Sequence, residues 1–195
     1  MPDFHRVAVV GPESSGKTTL VVGLAGWLRS LGEPVDVVDE QGRVLAGCLP
    51  PGHPWSYREQ VATSRMHRGA EAAAEVVMRA TQRRGVLLLD GTALTPLVWH
   101  MCATAARPGY DAGPASVTEE LLTAAQSDTY DCMLLLAPDV PWRADGVRDD
   151  PGGRWQAFGH YRALVPHAVV IEGADRDEQA QACVSALLRK GGGPR

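Results

Sequence analysis

Residues 11 to 18 read Gly-Pro-Glu-Ser-Ser-Gly-Lys-Thr and fill every fixed position of the pattern G-x-x-x-x-G-K-[ST]. These residue types in this order suit one task, the holding of a polyphosphate. Gly11 and Gly16 let the backbone turn tightly and come close to an anion. The backbone N–H groups of Glu13, Ser14, Ser15, Gly16, Lys17 and Thr18 would cradle the phosphates. Lys17 would reach the β- and γ-phosphates, and the Thr18 hydroxyl would ligand a magnesium ion. Two acidic positions complete a candidate centre. Val86-Leu-Leu-Leu89 is closed by Asp90, four apolar residues and a carboxylate that would hold the same Mg²⁺, directly or through water. Val35-Asp-Val-Val38 is closed by Asp39-Glu40, and Glu40, with Asp39 second, would orient and deprotonate an acceptor hydroxyl. Residues 139 to 155 carry Arg143, Arg148 and Arg154 with little periodicity, so they read as a lid. Arg143 and Arg148 would close over a transferring phosphoryl group.

Such chemistry works only if these residues meet. Val7 to Val10 reads as a buried strand, and Leu20, Val21, Leu24, Trp27 and Leu28 follow at helical spacing. The phosphate loop therefore feeds a helix N-terminus, where unpaired N–H groups and the helix dipole favour an anion. Gly32 and Pro34 stop that helix. The proline- and glycine-rich stretch 47–57, with Trp55 and Tyr57, reads as a loop that either contacts substrate or caps the core. One long helix, or two joined near Gly69, is expected from Ser56 to Arg84, with Gly85 ending it. Helices follow over 92–105 and 117–127, the second opened by Ser116 with Glu119 three residues on, a capping box. Strands are expected at 132–137 and 169–171 and helices up to 164 and over 175–189. Alternating strands and helices imply an α/β fold, a five-stranded parallel sheet with helices on both faces. In such sheets ligands bind beyond the carboxyl ends of the strands, which puts the loop, Asp90 and Glu40 on one edge.

The composition bounds the rest. A chain of 195 residues, 45% hydrophobic and 22% charged, suits a single globular domain, here taken as 1–190 with a flexible tail over 191–195. A net charge of −4, from 23 acidic and 19 basic residues, argues against a nucleic-acid partner. The four cysteines form no C-x-x-C pair and read as reduced thiols. The first residues lack an apolar leader, and no stretch reaches the roughly 18 apolar residues of a membrane span. A cytoplasmic location is therefore expected, and the oligomeric state is not legible.

Four stretches resemble the ribosylnicotinamide kinase domain of the NadR family: residues 11 to 19 through Thr19, Glu40-x-Gly-Arg43, Asp90 at the end of its strand, and Pro141-Trp-Arg-Ala-Asp-Gly-Val-Arg148. The resemblance spans about residues 6 to 165 and implies a P-loop nucleoside kinase fold with a lid. It implies ATP and Mg²⁺ as cofactors and phosphorylation of the 5′-hydroxyl of nicotinamide riboside. It also brings Arg43, with Asp39, Glu40 and Asp145, to the substrate. Asp39 stands where better-known members of the family have an aromatic, and Asp90-Gly-Thr92 where they have Asp-Thr-Asp. Two other readings remain open: a P-loop ATPase that regulates a protein partner, and a kinase for another nucleoside or small hydroxyl acceptor.

Overall fold

The computed structural model describes residues 4–81, 84–126, 129–143 and 152–191. Five strands, β1 (Phe4–Val10), β2 (Val35–Val38), β3 (Gly85–Asp90), β4 (Cys132–Leu136) and β5 (Val169–Ile171), form one sheet. Their spatial order is β2-β3-β1-β4-β5 and every pairing is parallel. Among the described residues seven helices cover it: α1 (Lys17–Ser30), α2 (Gln41–Cys48), α3 (Tyr57–Ala80), α4 (Leu94–Ala106), α5 (Ser116–Gln126), α6 (Arg154–Leu164) and α7 (Arg176–Gly191).

The central strands are continuous apolar runs because both faces are buried, and the two-residue period of a strand deals their side chains alternately to two cores. Ala8, Val10, Leu87, Leu89, Met133 and Leu135 pack beneath α3, α4, α5 and α6. Val7, Val9, Val86, Leu88, Leu134 and Leu136 pack beneath α1 and α7. All strands run the same way, so the carboxyl ends of β1, β2 and β3 share one edge, with Val9 opposite Asp90 and Val38 opposite Leu89.

Three local expectations are corrected. Residues 41–48, the last two of which were assigned to a loop, form α2, and Tyr57 begins α3. The long helix is unbroken at Gly69 but stops at Ala80, and Gly85 is the first residue of β3. A Cβ at Gly85 would come 2.1 Å from the Pro34 carbonyl oxygen, so this glycine serves close strand packing and not helix termination. Ser116 lies inside α5 as its first residue, whereas Ser56 and Glu59 form a complete capping box at the start of α3.

Candidate active site

Immediately after β1 the chain takes three left-handed steps, at Gly11 (φ 148°), Ser14 (φ 52°) and Gly16 (φ 90°). At Gly11 a side chain has no room: a Cβ would lie 2.7 Å from the carbonyl oxygen of Leu136. Ser15 holds the curl by donating its hydroxyl to the Pro12 carbonyl at 2.8 Å. The loop then enters α1, whose N-cap Gly16 supplies no side-chain cap and whose first turn has no acidic residue. The first amides of the helix are thus left to an external anion. Lys17, almost wholly buried, folds back over the loop and donates to the carbonyls of Gly11 at 3.0 Å and Pro12 at 2.7 Å. Thr18 and Thr19 are exposed on the first turn.

Two cationic side chains brace the loop from outside. Arg176 donates to the carbonyls of Ser15 and Ala137, both at 2.7 Å, and pairs with Asp139. Arg154 donates to the carbonyls of Ser14 at 3.3 Å and Val140 at 3.0 Å. Arg143 is exposed and donates its backbone N–H to the Ser14 hydroxyl at 2.8 Å.

Asp90, at the end of β3, is buried and accepts the Thr18 hydroxyl on Oδ2 at 2.6 Å. Its Oδ1 has no hydrogen-bond partner among the described residues. Burial pushes its pKa up, against the Thr18 hydrogen bond and the nearby Lys17 charge. An orphaned, desolvated carboxylate oxygen beside a threonine hydroxyl fits a hard divalent cation, which takes oxygen ligands and keeps several waters. Thr18 and Asp90 would hold such an ion together with phosphate oxygens.

Glu40 follows β2 and is 4% exposed. As the N-cap of α2 it accepts the N–H of Gly42 on Oε1 at 3.0 Å and that of Arg43 on Oε2 at 2.9 Å. Glu40 lines one cleft with Gly16, Lys17, Thr18, Arg43 and Arg143. Asp39 is exposed, and its carbonyl accepts from the Gln41 side chain.

A family model described as an AAA domain matches residues 6–164. The chain belongs to the AAA-domain family. No curated protein matches it. Among solved structures, a NadR protein in complex with NR superposes with a TM-score of 0.67 at 21% identity, over 94% of this chain and 51% of that one. A NadR protein in complex with NAD and AMP-PNP gives a TM-score of 0.67 at 17% identity, over 98% and 51%. The chain thus spans about half the length of these neighbours and shares their fold. The α/β P-loop architecture expected from the sequence is the one found.

Of the residues that the sequence singled out, the AAA domain gathers the loop from Gly11 to Thr19, Glu40, Asp90, Arg43 and Arg143 at one sheet edge. Arg148 and Asp145 lie outside the described residues, as does the rest of 144–151 in the expected lid. Arg154, which had been read as part of that lid, opens α6 and is buried against the loop.

Sequence reasoning missed His67. It lies on α3, is wholly buried, and brings Nε2 to 3.8 Å from Glu40 Oε1. Neither ring nitrogen has a hydrogen-bond partner among the described residues. A Cβ at Gly91 (φ 83°) would meet its Cε1 at 3.3 Å and Glu40 Cγ at 3.5 Å, so Gly91 makes room for both. The available signal was periodic: Gln60, Thr63, Ser64, His67 and Glu71 recur at helical spacing and are all buried, a polar stripe facing inward.

Proposed function

We propose that this AAA domain is an ATP-dependent kinase that phosphorylates a nucleoside hydroxyl, with nicotinamide riboside as the first acceptor to test and nicotinamide mononucleotide as the product. The observation that carries the reading is that the anion loop, the Thr18–Asp90 pair and Glu40 border one cleft. The fold shared with NadR proteins solved with NR and with AMP-PNP supports the acceptor and the donor, respectively.

In this reading the loop amides and Lys17 hold the β- and γ-phosphates, and Lys17 exchanges its carbonyl partners for phosphate oxygens. Thr18 and Asp90 would hold a magnesium ion, which would supply charge neutralisation for the phosphates. Glu40 accepts the proton of the acceptor hydroxyl as its oxygen bonds to the γ-phosphorus. The bond from that phosphorus to the β,γ-bridging oxygen breaks, and ADP leaves. Arg143 and Arg148 neutralise the transferring group, while Asp39, Arg43 and Asp145 position the acceptor.

The test is a nucleoside panel with ATP and Mg²⁺, reading monophosphate formation. Nucleoside-dependent phosphorylation that Lys17→Ala reduces at least a hundredfold is the expected result. ADP release at the same rate without any nucleoside would replace the kinase with an ATPase. Transfer to some other nucleoside would keep the kinase and replace the acceptor.

A further inference from the structure

His67 and His100 are both buried, and they are treated differently by the fold. His100 of α4 stands 2.9 Å from the Tyr110 hydroxyl on Nδ1 and 3.1 Å from the Thr118 hydroxyl on Nε2, so both ring nitrogens are met. His67 of α3 has no hydrogen-bond partner on either nitrogen among the described residues. Other side chains of its inward stripe are satisfied. Thr63 donates to the Glu59 carbonyl at 2.8 Å, and Glu71 accepts from Arg6 at 2.6 Å. A buried polar atom without a partner loses its hydration and gains nothing in exchange. A leucine of similar volume would fill the position without that loss, so packing does not account for an imidazole here.

The polar group that His67 faces is the candidate proton acceptor. Its Nε2 lies 3.8 Å from Glu40 Oε1, roughly 1 Å longer than a charge-assisted hydrogen bond. Gly91 frames the approach. A Cβ there would meet Thr95 Oγ1 at 3.1 Å, His67 Cε1 at 3.3 Å and Glu40 Cγ at 3.5 Å, so the missing side chain lets α3, α4 and the residue that caps α2 converge. The two elements are unequal as supports. Glu40 is tied to α2, eight residues with two glycines and little intrinsic helix propensity. α3 runs for 24 residues from a complete capping box, and Met78 on it joins the core. A hydrogen bond from His67 would fasten the carboxylate to the firmer of the two. A proton acceptor needs a fixed direction, and supporting contacts to rigid elements supply it.

We propose that His67 is the positioning residue for Glu40: with nucleotide and acceptor in the cleft, its Nε2–H closes on Oε1 and fixes the carboxylate that takes the acceptor's proton. The proposal rests on the kinase reading, whose base it holds in place. His67 is wholly buried and has no route to water, whereas Glu40 borders the cleft, so the proton leaves from Glu40 and the imidazole relays nothing.

The experiment compares His67→Leu and His67→Gln in the full chain, by urea unfolding and by initial rates of nucleoside-dependent phosphate transfer with ATP and Mg²⁺. Leucine keeps the bulk and removes the donor, and glutamine returns an N–H donor. The kcat should fall about tenfold in His67→Leu with the KM for ATP unchanged, and His67→Gln should recover to within about threefold of the native chain. The urea midpoint of His67→Leu should equal or exceed the native one, because unmet polar atoms leave the interior. In a Glu40→Gln background, His67→Leu should lower kcat by about twofold or less, since the group it positions is already gone. A native kcat in His67→Leu, a glutamine variant no better than the leucine variant, a full tenfold loss in the Glu40→Gln background, or a lower urea midpoint in His67→Leu would each overturn it. ADP release at the same rate without any nucleoside would remove the kinase, and the same variants would then be read on ADP release. There the same pattern keeps His67 as the positioner of Glu40, and an unchanged rate removes it. A chain with neither activity overturns both.

Discussion

Glu40 has two tasks on the same pair of oxygens. It caps α2 through two backbone amides, and it borders the cleft beside the phosphate loop. Glu40→Gln keeps a single acceptor oxygen, so the cap should weaken by about 1 kcal/mol in urea unfolding. The kcat of phosphate transfer should fall 10²- to 10⁴-fold with the KM for ATP nearly unchanged, the pattern of a lost proton acceptor. His67 bears on the same group from behind, and His67→Ala should lower kcat by roughly tenfold through misplacement of Glu40. Asp90 presents the opposite case, a residue whose ionised form destabilises the fold. Burial raises its folded pKa above the unfolded value of 3.8. Its contribution to stability is then full below 3.8 and is lost as pH rises through the raised value. Asp90→Asn should therefore raise the melting temperature of the nucleotide-free protein at pH 7, by on the order of 1 kcal/mol in stability. The same change should remove the Mg²⁺ dependence of nucleotide binding, and the two effects separate fold from site in one variant.

At the scale of elements, the start of α3 shows how a short pattern becomes a pH-dependent anchor. Burial alone would push the Glu59 carboxyl up. Hydrogen bonds from the Ser56 hydroxyl, from His53 and from the Ser56 N–H outweigh it and bring the pKa from 4.5 down to about 2. A depressed folded value means that the stabilisation is present above 4.5 and is lost as pH falls towards 2. Chemical denaturation between pH 5 and pH 2 should show this loss in the native chain, and Glu59→Gln should flatten it. This box was legible as Ser-x-x-Glu but was placed at Ser116–Glu119, because the same four-residue pattern recurs and only tertiary context distinguishes the two. The helix α2 was not legible either. Gln-Gly-Arg-Val-Leu-Ala-Gly-Cys holds two glycines in eight residues, so intrinsic propensity argues against it, and the Glu40 cap supplies what propensity lacks. By contrast the phosphate loop, Asp90 and Glu40 could be read directly. Each follows a short apolar strand, and parallel order places all such positions on one edge. His67 could not be read so, since it meets Glu40 across a long stretch of sequence. Its helix gives only a spacing, of polar residues turned inward along α3.

For the molecule as a whole, the cleft that Lys17, Thr18 and Glu40 line opens at one edge of the sheet, along the loop that follows β1. Nucleotide binding there should stabilise the entire fold, because the loop joins β1 to α1 and touches β4 and α6. With ATP and Mg²⁺ at a hundred times Kd, linkage gives about 2.7 kcal/mol. That corresponds to a rise of roughly 5–10 °C in melting temperature for a chain of this size. Scanning fluorimetry should record it in the native protein and not in Lys17→Ala. The match to the AAA-domain model ends at residue 164, yet Arg176 grips the loop carbonyl of Ser15 and the chain after β4 at Ala137. A polypeptide cut at that boundary would keep every residue of the Gly11–Thr18 signature and forfeit the rivet that holds its curvature. The letters of a phosphate-binding signature, in this fold, are completed by a guanidinium some hundred and sixty positions downstream.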